Sequence, residues 1–459
     1  MAAGWVATRP PTLRCARRPT PRSKRNEFDD MRPRLLIIAY GFPPSESVGA
    51  RRPAELAAFA ARQGWDVRVL TSTPADLRAA ADGLPESHIF RVAPVPRSTP
   101  LVGSIRRAEA AARTGRRRPL TLLGTLGREV MIPDGCVTWV APAARQFMRR
   151  RQNWRPDVIM VTGPPASAYL VAARLASRLN VPWVADYRDL WTVGNDYWPY
   201  GQSRIRRVLD RRMERWLLRS AACCVTISEP LAEILRSTFD VDAKVVMNGI
   251  DRPRNLPAER PASRPVPGPS TLTLAHTGRL VPGKRDPSPL LDAVALLGSD
   301  ARRVNVVFAG EDNGVAQAAV DRAGVADSVT NLGEVSAEKS WHVQTEADVL
   351  VLVMWNDPRD AGTVPGKFFD YLRARRPILM IGHPEGIVAG IIRSRHAGVV
   401  LSDPRQIAEQ LREWLAEKDR AGRIPELPAS ALDGLYREDQ LERYLEVLAD
   451  VAAGHVPDC

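Results

Sequence analysis

The stretch Ala347–Gly382, ADVLVLVMWNDPRDAGTVPGKFFDYLRARRPILMIG, decides how this chain folds. Its apolar run Val349–Met354 shows no polar alternation, the pattern of a strand covered on both faces in a parallel α/β sheet. A polar loop follows and ends in Gly362-Thr363-Val364-Pro365-Gly366. Lys367-Phe368-Phe369-Asp370-Tyr371-Leu372 then opens a helix whose first turn is expected to carry both a cation and a carboxylate, and a second strand, Pro377–Ile381, comes at once. In open α/β sheets ligands bind beyond the carboxyl ends of the strands, where a helix N-terminus offers N–H groups and partial positive charge to phosphate. A carboxylate on the same turn can accept hydrogen bonds from ribose hydroxyls. Asp370 is thereby placed on a ribose, and Thr363, Val364 and Lys367 beside a diphosphate. An ordinary solvated pair at a helix start obeys the same preference, and spacing alone leaves that alternative open.

The alternation of strands and helices extends outward on both sides. Thr271–Thr277, Val304–Gly310, Val329–Leu332 and Gly398–Leu401 complete one unit. Upstream of a Pro-rich stretch, Arg252–Ser270, lies an earlier unit with strands at Leu35–Tyr40, Trp65–Thr71, Val158–Thr162, Pro182–Asp186 and Ala222–Ser228, and a helix at Ala166–Leu179. Strands alternating with helices at this spacing mean parallel sheets. The length of 459 residues also argues for two domains. The expected organisation is a disordered basic leader at 1–30, a first Rossmann-like domain at 31–251, a linker at 252–270, a second such domain at 271–432 and a terminal helix at 433–459. Met31, directly before the first strand, is an alternative start of translation. The last amphipathic pattern, Arg437–Ala449, aligns Leu441, Tyr444, Leu445 and Leu448.

Composition removes several function classes. The five cysteines, Cys15, Cys136, Cys223, Cys224 and Cys459, lack metal-ligand spacing, which predicts a reducing cytoplasm and no disulfide framework. No apolar stretch approaches the ~18 residues that cross a bilayer, and the N-terminus lacks the apolar core of a signal peptide. A net charge of +13 predicts anionic partners such as a nucleoside diphosphate or acidic headgroups. Zinc-finger spacing and stacking aromatics are missing, so no nucleic acid is expected. The six histidines form no H-x-x-x-H or H-E-x-x-H pattern, and no metal site is expected. Two basic stretches, Ser104–Arg118 and Arg204–Arg219, are candidates for peripheral contact with an anionic membrane. The second mixes seven arginines with Ile205, Val208, Leu209, Met213, Trp216, Leu217 and Leu218, a pattern that also suits an ordinary domain helix with a solvated face.

Several loops follow strand ends. Gly41-Phe42-Pro43-Pro44-Ser45-Glu46-Ser47-Val48-Gly49-Ala50-Arg51 lacks the glycine spacing of dinucleotide and P-loop folds, and its Gly49 would let backbone approach a ligand. His276-Thr277-Gly278-Arg279-Leu280-Val281-Pro282-Gly283-Lys284 closes the first strand of the second unit. Thr162-Gly163-Pro164-Pro165-Ala166-Ser167 and Val184-Ala185-Asp186-Tyr187-Arg188-Asp189-Leu190-Trp191 stand one helix apart in the first. Asp186, Arg188 and Asp189 concentrate charge at a strand end, as ligand groups or as an internal ion pair fixing the loop. Asn248-Gly249-Ile250-Asp251 and Gly310-Glu311-Asp312-Asn313 are weaker signals.

Taken together, these motifs resemble those of family 4 glycosyltransferases, retaining enzymes of the α/β GT-B fold, over roughly Arg34–Ala449. The resemblance implies two Rossmann-like domains facing a cleft, the first for the acceptor and the second for a nucleotide sugar, with the C-terminal helix crossing back to the first. It implies that Arg279 and Lys284 hold the diphosphate leaving group, on which negative charge builds as the glycosyl bond breaks. Gly49, Gly278, Thr363, Val364, Lys367 and Asp370 would bind the donor; Arg51, Asp186 and Arg188 would face the cleft; and Asp189 would stand with the reacting groups. A retaining front-face transfer lets the departing phosphate take the acceptor proton. By family habit the nucleotide is UDP, the acceptor a lipid-linked glycan at the inner membrane face or a small molecule, and neither cofactor nor metal is needed. The chain departs from the family at two points. Asp370 replaces the usual glutamate, and the first acid of the family's pair is Gly362, which shifts the sugar contact to backbone amides or to Asp357 and Asp360. A GT-B sugar-nucleotide epimerase and a catalytically silent binding homologue are the alternatives.

Overall fold

The computed structural model describes residues 32–45, 48–72, 84–95, 131–194, 203–252, 271–312 and 314–454. The expected leader, all but the first residue of the linker, and the Ser104–Arg118 stretch lie outside them. From Pro33 onward the chain holds together as one unit.

Two parallel sheets follow each other. The first contains β1 (Arg34–Ala39), β2 (Asp66–Thr71), β3 (Ile89–Arg91), β4 (Val158–Gly163), β5 (Trp183–Tyr187), β6 (Cys223–Thr226) and β7 (Ala243–Val245), in the spatial order β3-β2-β1-β4-β5-β6-β7. The second contains β8 (Leu272–Thr277), β9 (Val304–Ala309), β10 (Val329–Asn331), β11 (Val349–Val353), β12 (Ile378–Ile381) and β13 (Gly398–Val400), in the order β10-β9-β8-β11-β12-β13. Both orders reverse direction once, between β1 and β4 and between β8 and β11. Loops on either side of such a reversal splay apart and leave a crevice at the strand ends. The two edge strands β3 and β7, three residues each, are not among the strands read from the sequence, whereas the equally short edge strands β10 and β13 are.

The helices of the first unit are α1 (Val48–Arg62), α2 (Val140–Arg150), α3 (Ser167–Leu179), α4 (Arg204–Leu218) and α5 (Glu229–Phe239). Those after β8 are α6 (Ser288–Ala295), α7 (Val315–Ala323), α8 (Ala337–Glu346), α9 (Gly366–Arg373), α10 (Ile387–Ser394), α11 (Pro404–Ala421) and α12 (Arg437–Ala453). Each sheet is covered on both faces, which is why all five residues of β11 are buried and why its sequence carries no alternation.

The last helix returns to the first sheet. Leu441, Tyr444, Leu445 and Leu448 of α12 are buried among Leu35, Ile37, Val158 and Met160 of β1 and β4. Burial of that kind contributes about 1.5–3 kcal/mol per large side chain. The crossing point is pinned by backbone bonds, Ile250 N–H to Leu435 O at 2.8 Å and Arg437 N–H to Ile250 O at 2.8 Å. Arg437 adds ion pairs of 2.6 Å each to Asp251 and Glu55, and Arg51 closes the network with Asp251 at 2.6 Å and Glu55 at 2.7 Å.

Candidate active site

The crevice at the β8/β11 reversal gathers cations. Tyr371 of α9 is buried and its hydroxyl accepts the Thr277 N–H at 2.9 Å, which fixes the rotation of α9 against the end of β8. Residues i and i+4 share a helix face, so this anchor carries Lys367 to the same strand end. There the Lys367 Nζ lies 3.2 Å from His276 Nε2. His276 is fully buried, and its Nδ1 lies 2.9 Å from the Val351 carbonyl oxygen. Nδ1 donates to that carbonyl, which leaves Nε2 as the acceptor for the ammonium. Burial, and then the Lys367 charge, hold His276 well below the usual imidazole range, so it stays neutral. Burial also pushes the half-buried Lys367 down to about 7, with Arg285 adding repulsion. An anion placed here would return it to the charged form. Gly278 makes the approach possible: its φ is +104°, and a Cβ would stand 3.0 Å from Lys367 Nζ.

Arg279 and Lys284 flank this pair. Arg279 places its Nε 3.0 Å from Glu311, in the loop after β9, with both side chains partly exposed. Lys284 sets its ammonium 4.7 Å from the centre of the Trp355 ring, at the end of β11, and Arg359 lies 4.3 Å from the same ring. Asp357 is taken up by Arg359, at 2.7 Å, whose hydrogen bonds bring it down to about 2. Asp360 accepts the Thr363 hydroxyl at 2.8 Å, and burial raises its pKa. Thr363 thus spends its hydroxyl within its own loop, and the Val364 side chain is buried in the core. The Thr363 N–H is also used inside the loop, donating to Asp360 O at 3.0 Å, so of these two residues only Val364 has a backbone N–H to offer a diphosphate.

Asp370 sits differently from its expected position. The helix starts at Gly366 with no acid in its first turn, so Asp370 falls in the second. The charges that act on it are those of Arg373, Arg51, Asp251 and Arg437, and burial raises its pKa. Arg51, read as a cleft residue, belongs to the same ionic network at the crossing point.

The corresponding crevice of the first sheet is built from satisfied charges. Asp186 is fully buried and chelated by Arg52, with Nη2 at 2.9 Å and Nε at 3.2 Å. Arg52 also donates to Met247 O at 3.1 Å and to Asn248 Oδ1 at 3.2 Å. Asp186 therefore serves as an internal anchor, and its partner is Arg52 instead of the neighbouring Arg188. Arg188 itself donates to the carbonyls of Gly163 at 2.8 Å and Pro164 at 2.9 Å. Its guanidinium fills the space where a Cβ on Gly49 would lie, only 2.3 Å from Nη1. Gly49 is thus a glycine because Arg188 crosses it. Asp189 is exposed on the following loop. That loop is held from behind by the buried Glu214, which accepts the Thr192 N–H at 3.2 Å and the Thr192 hydroxyl, and which burial raises to about 7.

Gly362, where the resemblance would place an acid, lies against the first unit. Ser228, before α5, donates its hydroxyl to Gly362 O at 2.7 Å, and a Cβ on Gly362 would lie 2.7 Å from Leu231 Cδ2. A longer side chain at 362 would have to displace the Leu231 side chain.

Lys367 and Asp186 stand out in the sequence, but their partners His276 and Arg52 do not. His276 and Lys367 are 91 positions apart, and Arg52 and Asp186 are 134 apart, so no local spacing links them.

Comparison with known proteins bears on the fold and on the family. Residues 49–249 match a glycosyl transferase 4-like domain and residues 271–417 match glycosyl transferases group 1. Over 315 residues the chain is 26% identical to a 2-deoxystreptamine glucosyltransferase of Streptomyces kanamyceticus, covering 61% of this chain and 78% of that one. Among solved structures, a sucrose-phosphate synthase from Thermosynechococcus elongatus superposes with a TM-score of 0.60 at 15% identity, over 92% of this chain and all (100%) of that one. Anabaena HepE, solved with UDP and glucose, gives 0.55 at 14% identity, over 91% and 99%. With two Rossmann-like sheets, a returning C-terminal helix and both glycosyltransferase domains spanning most of its length, the chain is a glycosyltransferase of the GT-B fold.

Proposed function

We propose that this protein moves a glycosyl group from a nucleoside diphosphate sugar, with UDP as the nucleotide, to an acceptor hydroxyl with retention and without a catalytic metal. The observation that carries this is the convergence of Arg279, Lys284, Arg285 and Lys367 on the end of β8, at the reversal of the second sheet. As the bond from the anomeric carbon to the β-phosphate oxygen breaks, charge builds on that oxygen and meets guanidinium and ammonium groups already in place. The acceptor oxygen bonds to the anomeric carbon on the same face, and its proton passes to the departing phosphate. Asp370 takes the ribose. Asp189 and Arg188 border the acceptor, and no resident cofactor takes part. Among the described residues no three His, Cys, Asp or Glu side chains converge as a metal site. The S. kanamyceticus relative, named for transfer to 2-deoxystreptamine, supports a small aminocyclitol-type acceptor; a lipid-linked glycan is the other class. Among the described residues no helix is long and apolar enough to cross a membrane. On cysteine usage and net charge we place the protein in the cytoplasm, peripheral to the inner face.

The test is turnover of the purified chain with a panel of nucleotide sugars against 2-deoxystreptamine and lipid-linked acceptors, in EDTA, with the product anomer read by NMR. Retained transfer is expected. Isomerised or hydrolysed donor without any acceptor product would point to an epimerase, nucleotide binding without turnover to a silent homologue, and loss in chelator restored by Mg²⁺ to a metal-dependent enzyme.

A further inference from the structure

Helix α4 is turned inside out. Its buried side carries Arg206, Asp210 and Glu214, spaced i, i+4, i+8, with Leu217 and Leu218. Arg206 and Asp210 pair at 2.7 Å, Arg206 donates to Pro133 O at 2.5 Å, and Glu214 holds Thr192. These buried polar contacts fix the helix rotation, because each is lost if α4 rolls. Rolling is what would be needed to hide the other side. There Ile205, Leu209 and Trp216 are 75%, 43% and 63% exposed, at i, i+4 and i+11 on one stripe. Arg212 lies in that stripe, and Arg215 and Arg219 are exposed beside it, as is Val208 at 49%.

We infer that this face of α4 docks on an anionic lipid surface. An apolar stripe ending in a tryptophan and bordered by arginines is the composition of a helix lying in the headgroup layer, where the ring and aliphatic side chains enter the acyl boundary and the guanidiniums meet phosphate. Charge decides the occupant. A second copy across a two-fold axis would set one array of arginines against another in a chain that already carries +13. A bilayer bearing acidic headgroups removes that repulsion. The β5 loop with Arg188 and Asp189 leads toward α4, so docking would hold the first unit's crevice close to the bilayer.

The full chain is mixed with phosphatidylcholine vesicles with and without phosphatidylglycerol and sedimented, without donor or acceptor, so the outcome is separate from the transfer reaction. Wild type is expected to bind the anionic vesicles, less so in high salt, and to leave the neutral ones. Ile205→Ser with Trp216→Ser should lower the partition by about ten-fold, and Arg212→Gln with Arg219→Gln by roughly five-fold per arginine. Circular dichroism and melting confirm that the variants fold. Wild type that stays in the supernatant, or variants that sediment like wild type, would overturn the docking. A dimer broken by Ile205→Ser, with no vesicle binding, would assign the face to a second copy, and capture of an acidic protein in place of vesicles would assign it to a protein partner.

Discussion

The two crevices occupy the same place in two similar sheets, yet their charges are handled in opposite ways. At the first, Asp186 is enclosed by Arg52, and Arg188 is spent on the carbonyls of Gly163 and Pro164. At the second, Lys367 presses on a neutral His276 with Arg285 nearby, and its ammonium is destabilised. Carboxylates stand among these cations, Glu311 against Arg279 and Asp360 beside Arg285 and Lys284, but only burial and repulsion act on the Lys367 ammonium. The first crevice is shaped by internal salt bridges and hydrogen bonds, whereas the second leaves a destabilised ammonium that fits the proposed diphosphate.

Breaking the buried pair tests the first half of the contrast most severely. Arg52→Met leaves Asp186 enclosed without its cation and should lower stability by about 3–5 kcal/mol, measured by denaturant unfolding. Arg52→Met combined with Asp186→Leu should recover part of that loss. A single variant as stable as wild type would mean that water reaches Asp186 and that the first crevice is not self-satisfied.

The second crevice should respond in activity instead. Arg279→Ala and Lys284→Ala are each expected to reduce transfer by ~10², about 3 kcal/mol, with unchanged melting temperature. Near-normal turnover in both would remove them from the leaving diphosphate.

Asp370→Asn sharpens the boundary between the anion site and the crossing-point network. Calorimetry should show weaker binding of free UDP by about 1.5–3 kcal/mol if the carboxylate holds the ribose. Unchanged UDP affinity with lost turnover would move Asp370 to the sugar, and a loss of stability alone would leave it with Arg51 and Arg373.

The smallest expected effect is a pH dependence. Lys367 is lowered from its usual value to about 7, so above that pH it is mostly neutral, while a bound diphosphate favours the ammonium. Binding should therefore take up a proton, and affinity should weaken as pH rises through 7, by at most about ten-fold per unit or ~1.4 kcal/mol. Calorimetry in buffers of different ionisation enthalpy reads the uptake directly. It should vanish in Lys367→Met, and its persistence there would assign the proton to another group.

Sequence by itself determined the tandem parallel sheets, because strands buried on both faces write unbroken apolar runs such as Val349–Val353. The spacing of Leu441, Tyr444, Leu445 and Leu448 also marked an amphipathic last helix, whose return to the first sheet was implied only by the family resemblance. The cation-bearing loop after β8 was legible because its residues are contiguous. The short edge strands β3 and β7 were not read. Tertiary structure alone decided which charge meets which. Asp186 found Arg52, His276 found Lys367, and Gly49 proved to make room for Arg188. It also decided that α4 buries its acids and shows its tryptophan, because a helix turns according to the partners available to its polar groups and not by hydrophobicity alone. Periodicity is a property of neighbours in the chain, whereas an ion pair is a property of neighbours in space, and only folding brings residues 91 or 134 positions apart within a hydrogen bond.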